Sequence, residues 1–84
     1  MEKLKKQLQQ EGYLVMLSKD GVLIAGQEDG YSDILKCKMM KNTFGVEIRN
    51  SLIIIDYAIG QIPVEKEFKT IKDLLTFVRQ VFPI

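Results

Sequence analysis

Three charged residues in the second half of the chain have the types that a metal-dependent nuclease uses. Asp56 follows an apolar run, and Glu67 and Lys69 stand in the order Glu-x-Lys. Two such carboxylates can hold Mg²⁺ while the lysine orients or activates water. With ten lysines and eleven acidic residues in 84, about one acid-x-lysine arises by chance. We therefore expect no catalytic site, no metal site and no cofactor.

The sequence contains no histidine and one cysteine, Cys37, and this excludes several kinds of catalytic and metal-binding site. Without histidine there are no Ser-His or Cys-His nucleophile pairs, no histidine metal ligands and no ordinary pH switch near neutrality. One cysteine can neither close an intramolecular disulfide nor anchor a zinc site alone. We expect Cys37 to be a buried structural thiol and the protein not to be an enzyme.

A predicted hairpin in the middle of the chain provides the candidate binding surface. Residues 34–40 alternate as a strand, and Asn42-Thr43 has the residue types of a two-residue turn before residues 44–49. With that turn, Cys37 lies opposite Ile48 on an apolar side. Pattern and register therefore support the same hairpin.

The other side of this hairpin is cationic. The register places Lys36 beside Arg49 and Lys38 beside Glu47, with Lys41 at the tip. The charged side chains of such a face either only keep an exposed sheet surface solvated or contact a partner. The candidate partner-binding residues are Lys36, Lys38, Lys41, Arg49 and, at the margin of the last helix, Phe77.

Hydrophobic periodicity supplies the elements that position these residues. Residues 2–11 form a helix with a narrow apolar stripe, Leu4 and Leu8. Residues 13–18 and 22–25 form a hairpin with an apolar pattern on both faces. The following segment, 26–33, has two glycines and a polar composition typical of a loop.

The second half of the chain continues the sheet and ends in a helix. Asn50-Ser51 forms a turn, and the continuous apolar run 52–55 is typical of an inner strand covered on both faces. Residues 64–68 offer a fifth strand. A capping box at residues 70–73 begins the last helix, whose apolar residues share one face: Ile71, Leu74, Leu75, Val78, Val81 and Phe82.

These elements predict a single α+β domain over residues 1–84. It has an N-terminal helix, an antiparallel sheet of four or five strands, and a C-terminal amphipathic helix packed on one sheet face as a two-layer sandwich. The far face carries apolar residues of the first hairpin and of the run 52–55. We expect that face to be covered by the first helix, either alone or together with another protein chain, a second copy or a host target.

Charge and composition leave two classes of function open. The net charge is +1, with seven positive and six negative residues in 1–42 and five of each in 43–84. A polyanion would therefore need a local basic patch. We expect a non-enzymatic protein-binding or regulatory module, which can also act as a dimer. The alternative is a nucleic-acid-binding module that uses the cationic hairpin face, with affinity that falls as salt rises.

The start of the chain and its composition suggest where it acts. Residues 1–10 hold lysines without an apolar stretch behind them, and no apolar run approaches the roughly 20 residues that cross a bilayer. We expect a cytoplasmic protein without membrane contact. Ten lysines to two arginines and ten isoleucines are typical of an AT-rich genome, such as that of a low-GC bacterium or its phage.

Overall fold

The computed structural model describes residues 2–84, which form two helices and a five-stranded sheet. The strands lie side by side in chain order, and every neighbouring pair is antiparallel. This confirms the α+β fold and the fifth strand. In chain order the elements are α1 Glu2–Gln10, β1 Leu14–Leu17, β2 Leu23–Ser32, β3 Cys37–Arg49, β4 Leu52–Ile59, β5 Ile62–Phe68 and α2 Ile71–Val81.

Both helices pack on the same face of the sheet, here called the helix face. Leu4 and Leu8 of α1 belong to the same buried cluster as Leu74 and Val78 of α2. The sheet contributes side chains that the register places on one side: Leu23, Ala25, Phe44, Val46, Ile53 and Ile55. The expectation that α1 covers the far face is wrong, because its two leucines are buried beside α2 rather than behind the sheet.

Neither helix of the described range covers the opposite face, here called the open face. Strand alternation and register assign it these side chains: Leu14, Met16, Ile24, Glu47, Arg49, Ile54, Asp56, Glu65 and Glu67. Ile54 is nevertheless buried, because Glu47 and Glu67 lie directly across from it on the two neighbouring strands. The central run of β4 is thus covered on both sides, as its continuous apolar sequence predicts.

Two turns and the start of α2 have the conformations that the sequence predicts. Gly21 has a positive φ of 82° in the β1–β2 turn, where the Ser18 hydroxyl accepts a hydrogen bond from the Val22 amide. Asn50 and Ser51 both have positive φ in the β3–β4 turn, as a type I′ turn requires. The Thr70 hydroxyl accepts the Asp73 amide hydrogen bond at 3.1 Å and begins α2.

The predicted turn at Asn42-Thr43 is wrong. β3 runs without a break through these residues, and the chain reverses earlier, at residues 33–36. Asn42 has a φ of 52°, and the register from Ala25↔Phe44 to Gln27↔Lys41 gives β3 one extra residue. Asn42 therefore forms a β-bulge. Asparagine tolerates the left-handed conformation in a bulge as well as in a turn, and local sequence does not separate the two.

The predicted loop over residues 26–33 is also wrong, because β2 continues through Ser32. Gly30, with a φ of 86°, is the extra residue of a second bulge, this time on β2, between the pairs Glu28↔Met40 and Tyr31↔Lys38. Because each strand has one bulge, the two extra residues offset each other and the register is restored. The polar, glycine-containing residues 26–32 therefore form part of the long, exposed strand β2.

Candidate functional site

The outer parts of β2 and β3, residues 27–41, form a hairpin that extends past the rest of the sheet, here called the arm. β1 pairs with β2 only as far as Gly26, and β4 pairs with β3 only from Gly45 onward. The arm is therefore a two-stranded ribbon whose two edges pair with no other strand in the part of the chain that the structure describes. It contributes to the elongated shape of the molecule, 39 × 28 × 24 Å.

The end of the arm is apolar and exposed to solvent. Ile34 is 91% exposed and Leu35 is 64% exposed, in the turn that joins the two strands. Tyr31 and Met39 lie nearby on opposite sides of the ribbon, and both are also exposed. These four residues are here called the tip cluster.

The turn that carries the tip cluster is built by local hydrogen bonds. The Leu35 amide donates to the Ser32 hydroxyl at 3.1 Å, and the Lys36 amide donates to the Ser32 carbonyl at 2.8 Å. Lys36 closes the turn with a φ of 58°. Ile34 and Leu35 are thus held at the apex by main-chain geometry and not by contact with the core.

The charges of the arm balance. Residues 27–41 contain three lysines, Lys36, Lys38 and Lys41, and three acidic residues, Glu28, Asp29 and Asp33. The Lys38 ammonium lies 3.6 Å from a Glu28 carboxylate oxygen, and both side chains are more than half exposed. An exposed pair at this distance contributes little stability. The arm is therefore amphipathic and electrically neutral.

The structure separates the predicted cationic residues. Lys36 lies in the turn at the end of the arm, Lys38 is next to it on β3, and Lys41 lies at the base and not at the tip. Arg49 is at the other end of β3, eleven residues beyond Lys38, roughly 35 Å along an extended strand. The expected juxtapositions of Lys36 with Arg49 and of Lys38 with Glu47 are wrong, because they depended on the turn that does not form.

Arg49 instead belongs to an ion-pair group on the open face. Its guanidinium donates to Glu47 through two nitrogens, at 2.5 and 2.9 Å, and lies 3.4 Å from Glu65. The hydrogen bond that Arg49 donates to Glu47, together with the nearby negative charges, raises the pKa of Arg49 above its ordinary value. Arg49 is engaged by its own chain and lies far from the arm.

Phe77 lies at the margin of the α2 packing surface, as the helical periodicity predicts. Its ring is 5.2 Å from that of Phe68 and 6.0 Å from that of Tyr57, centroid to centroid. It is half-buried and packs against the core. These aromatic contacts give Phe77 a structural role, and they place it away from the arm.

Cys37 is exposed on the arm, so the expectation of a buried thiol is wrong. The predicted strand over residues 34–40 is right only for residues 37–40, which belong to β3, because residues 33–36 form the turn of the arm. Cys37 lies in the arm, beyond the part of the sheet that the helices cover. No element of the described chain packs on the apolar side of the arm.

Asp56 and Glu67 both lie on the open face, but they are two residues out of register, because Asp56 pairs with Glu65 and Glu67 pairs with Ile54. Lys69 follows the end of β5. Among residues 2–84, no three acidic or cysteine side chains come close enough together to hold a metal ion. The nuclease-like order of these residues in the sequence is therefore not accompanied by a ligand group in the described part of the chain.

A cleft opens where β3 and β4 separate, here called the fork cleft. Its volume is 660 Å³, and its lining includes Phe44, Tyr57 and Phe82 together with Asn42, Thr43 and Asp56. The pairing of β3 with β4 stops at Gly45↔Asp56, so the strand segments on either side of the cleft diverge.

Sequence reasoning did not single out the tip cluster. The available signal was Ile34-Leu35 between Asp33 and Lys36, but an apolar pair beside a predicted strand is typical of that strand's core side. Comparison with protein-family models, with curated proteins and with solved structures found no match. Neither of the two helices in the described range is long and apolar enough to span a membrane.

Proposed function

We propose that this protein is a non-enzymatic binding module that engages another protein chain through the tip cluster of the arm. The observation that carries this proposal is the exposure of Ile34 and Leu35 at the apex of a hairpin that stands clear of the core. Complete burial of an aliphatic side chain of this size contributes about 1.5–3 kcal/mol. A receiving pocket would therefore gain several kcal/mol from these two residues alone.

The shape of the arm supports the same conclusion. A two-stranded ribbon with free edges is marginally stable in water by itself, and a partner that covers it supplies the missing contacts. The turn is already organised by Ser32, so fewer main-chain rotations are lost on binding than for a disordered loop. Lys36 and Lys38, at the end of the arm, would contact the polar rim around the apolar contact.

The neutral charge of the arm favours a protein partner over nucleic acid. Phosphate binding draws its affinity from clustered cations that displace counterions. Here the 15-residue hairpin, residues 27–41, contains three lysines and an equal number of carboxylates. The composition of the chain agrees with an origin in a low-GC bacterium or its phage, and on that origin the partner is a host protein in the cytoplasm.

The test compares three baits in affinity capture from extracts of the source cells, each with and without nuclease treatment. The baits are the unaltered protein, the double variant Ile34→Asp/Leu35→Asp, and the control Ile59→Asp/Ile62→Asp. The control residues are 63% and 68% exposed at the β4–β5 turn, so the two variants change charge and exposed apolar area alike.

We expect one partner to be retained by the unaltered protein and by the control, and lost by the arm variant. Titration of that purified partner should show at least about tenfold weaker binding to the arm variant. Equal retention by all three baits, or binding that disappears with nuclease, would contradict the proposal.

A further inference from the structure

The fork cleft lies between two strand edges that have no partner strand among residues 2–84. From Cys37 to Phe44, β3 pairs with β2 on one side only, and the outer part of β4, residues 57–59, pairs with β5 only. Within the described part of the chain, no other main-chain hydrogen bond engages these two segments. The free edge of β3 is eight residues long, roughly 26 Å.

The lining of the cleft is mixed, with apolar walls and a comparable share of polar groups, so it offers both apolar contact and hydrogen-bonding partners. Phe44 and Phe82 are buried core residues that also line it, and their rings are 4.7 Å apart, centroid to centroid. Asn42 and Thr43 supply polar groups at the base of the arm. An extended segment that entered here would meet apolar surface and unpaired main chain together.

The charge at the inner end of the cleft is negative. Gly45 has no side chain, and the Asp56 carboxylate occupies the place where a Cβ at that position would be. Asp56 is exposed and has no hydrogen bond or ion pair among residues 2–84. Arg49 is engaged by Glu47 and Glu65, which leaves Asp56 available to an incoming cation.

We propose that the fork cleft binds an extended peptide segment of a partner protein, which adds as a strand to the free edge of β3 and places a lysine or arginine against Asp56. Strand addition takes affinity from main-chain hydrogen bonds and specificity from alternate side chains. A segment antiparallel to β3 begins at the inner end of the cleft, so its cationic residue is near its amino end. This site is independent of the tip cluster.

The test is a titration of the ¹⁵N-labelled full chain with designed peptides, followed by amide chemical shifts. The first probe is a capped octapeptide of alternating valine and threonine with lysine as its second residue. The second has glutamate in place of that lysine, and the third is the lysine peptide with alternate amides N-methylated. We expect the lysine peptide to shift amides in residues 37–45 and 56–58, and to bind about five- to tenfold more tightly than the glutamate peptide.

The variant Asp56→Asn keeps the shape of the side chain and removes its charge. We expect it to reduce the preference for lysine over glutamate to less than about twofold. The N-methylated peptide should not bind, because it cannot form the ladder. The proposal would be overturned by no shift at about 5 mM peptide, by equal binding of the lysine and glutamate peptides, or by binding of the N-methylated peptide.

Shifts of the same amides with protein concentration, in the absence of peptide, would assign the cleft to a second copy of the chain and would also overturn the proposal. None of the probes requires Ile34 or Leu35. Failure of the peptide titration is therefore distinguishable from failure of the proposed function, which the arm variant tests.

Discussion

The hydroxyl of Tyr13 lies 2.6 Å from the backbone carbonyl oxygen of Phe82 and 3.1 Å from that of Val78. Tyr13 precedes β1, whereas Val78 lies in the last turns of α2 and Phe82 follows that helix, so the contact joins the two ends of the fold. The carbonyls at the C-terminal end of a helix lack partners within it. The Val78 carbonyl also accepts the Phe82 amide at 2.8 Å, so it is the Phe82 carbonyl whose partner Tyr13 supplies, from a position that is only 4% exposed.

Replacement of Tyr13 by phenylalanine should therefore destabilise the protein while leaving the packing of the ring unchanged. We expect a loss of about 1 kcal/mol, the net value of one such hydrogen bond, and a fall in Tm of about 4–8 °C for a domain of this size. Thermal unfolding followed by circular dichroism measures it. Tyr31→Phe on the exposed arm is the matched control and should leave Tm unchanged.

The Tyr13 hydroxyl also makes the stability of the fold depend on pH in the alkaline range. Burial raises the pKa of Tyr13 above its ordinary value of 10.0, and the negative charge of Glu11 adds to this effect. The contribution of the protonated Tyr13 hydroxyl to stability is complete below pH 10.0 and is lost as pH rises through the higher folded-state pKa. Unfolding by urea at stepped alkaline pH should show this decline in the unaltered protein and a smaller one in Tyr13→Phe. Parallel curves would contradict the assignment.

Asn42 tests the bulge at the base of the arm. Its φ of 52° is accessible to asparagine and glycine and unfavourable for a β-branched residue. Its side-chain amide also donates to Gln27 at 3.2 Å. We expect Asn42→Val to lower the free energy of unfolding by about 1–3 kcal/mol, and Asn42→Gly to cost much less. If the two variants unfold alike, the left-handed conformation is not a constraint at this position.

Leu8 tests whether α1 is part of the main core. Its side chain is 0% exposed, within the cluster that also contains Leu74 and Val78. We expect Leu8→Ala to cost about 2–5 kcal/mol, a large share of the roughly 4–13 kcal/mol expected for a chain of this length. Urea unfolding measures it, and Gln9→Ala on the exposed side of the helix is the control. A small effect would show that α1 is dispensable.

Glu11 and Arg79 give the fold an acid-dependent contact between the end of α1 and α2. The hydrogen bond from the Arg79 guanidinium lowers the pKa of Glu11 below 4.5. A lowered carboxylate pKa adds stability above pH 4.5 that disappears as pH falls through the folded-state value. The difference in Tm between the unaltered protein and Glu11→Gln should therefore shrink below that pH. Arg79→Gln should abolish the same dependence, and a difference that persists in acid would contradict this pairing.

Local sequence was sufficient wherever the chain's own neighbours decide the conformation. Ser18 and Gly21 form a tight turn, Asn50-Ser51 forms another, and Thr70 begins α2 through a hydrogen bond three residues away. The apolar stripe of α2 and the continuous run in β4 also identify their buried sides, because alternation and helical periodicity are local properties. From these signals the α+β fold and the order of its elements were predictable.

The tertiary structure alone decided where the sheet ends and which face α1 covers. Asn42 adopts the same left-handed conformation in a bulge as in a turn, so its sequence did not reveal that β3 continues and that residues 27–41 stand clear of the core. Likewise Leu4 and Leu8 fit either side of a sheet, and packing against α2 selects one. Both outcomes depend on contacts between residues distant in sequence, and those contacts also separated Arg49 from the lysines of the arm.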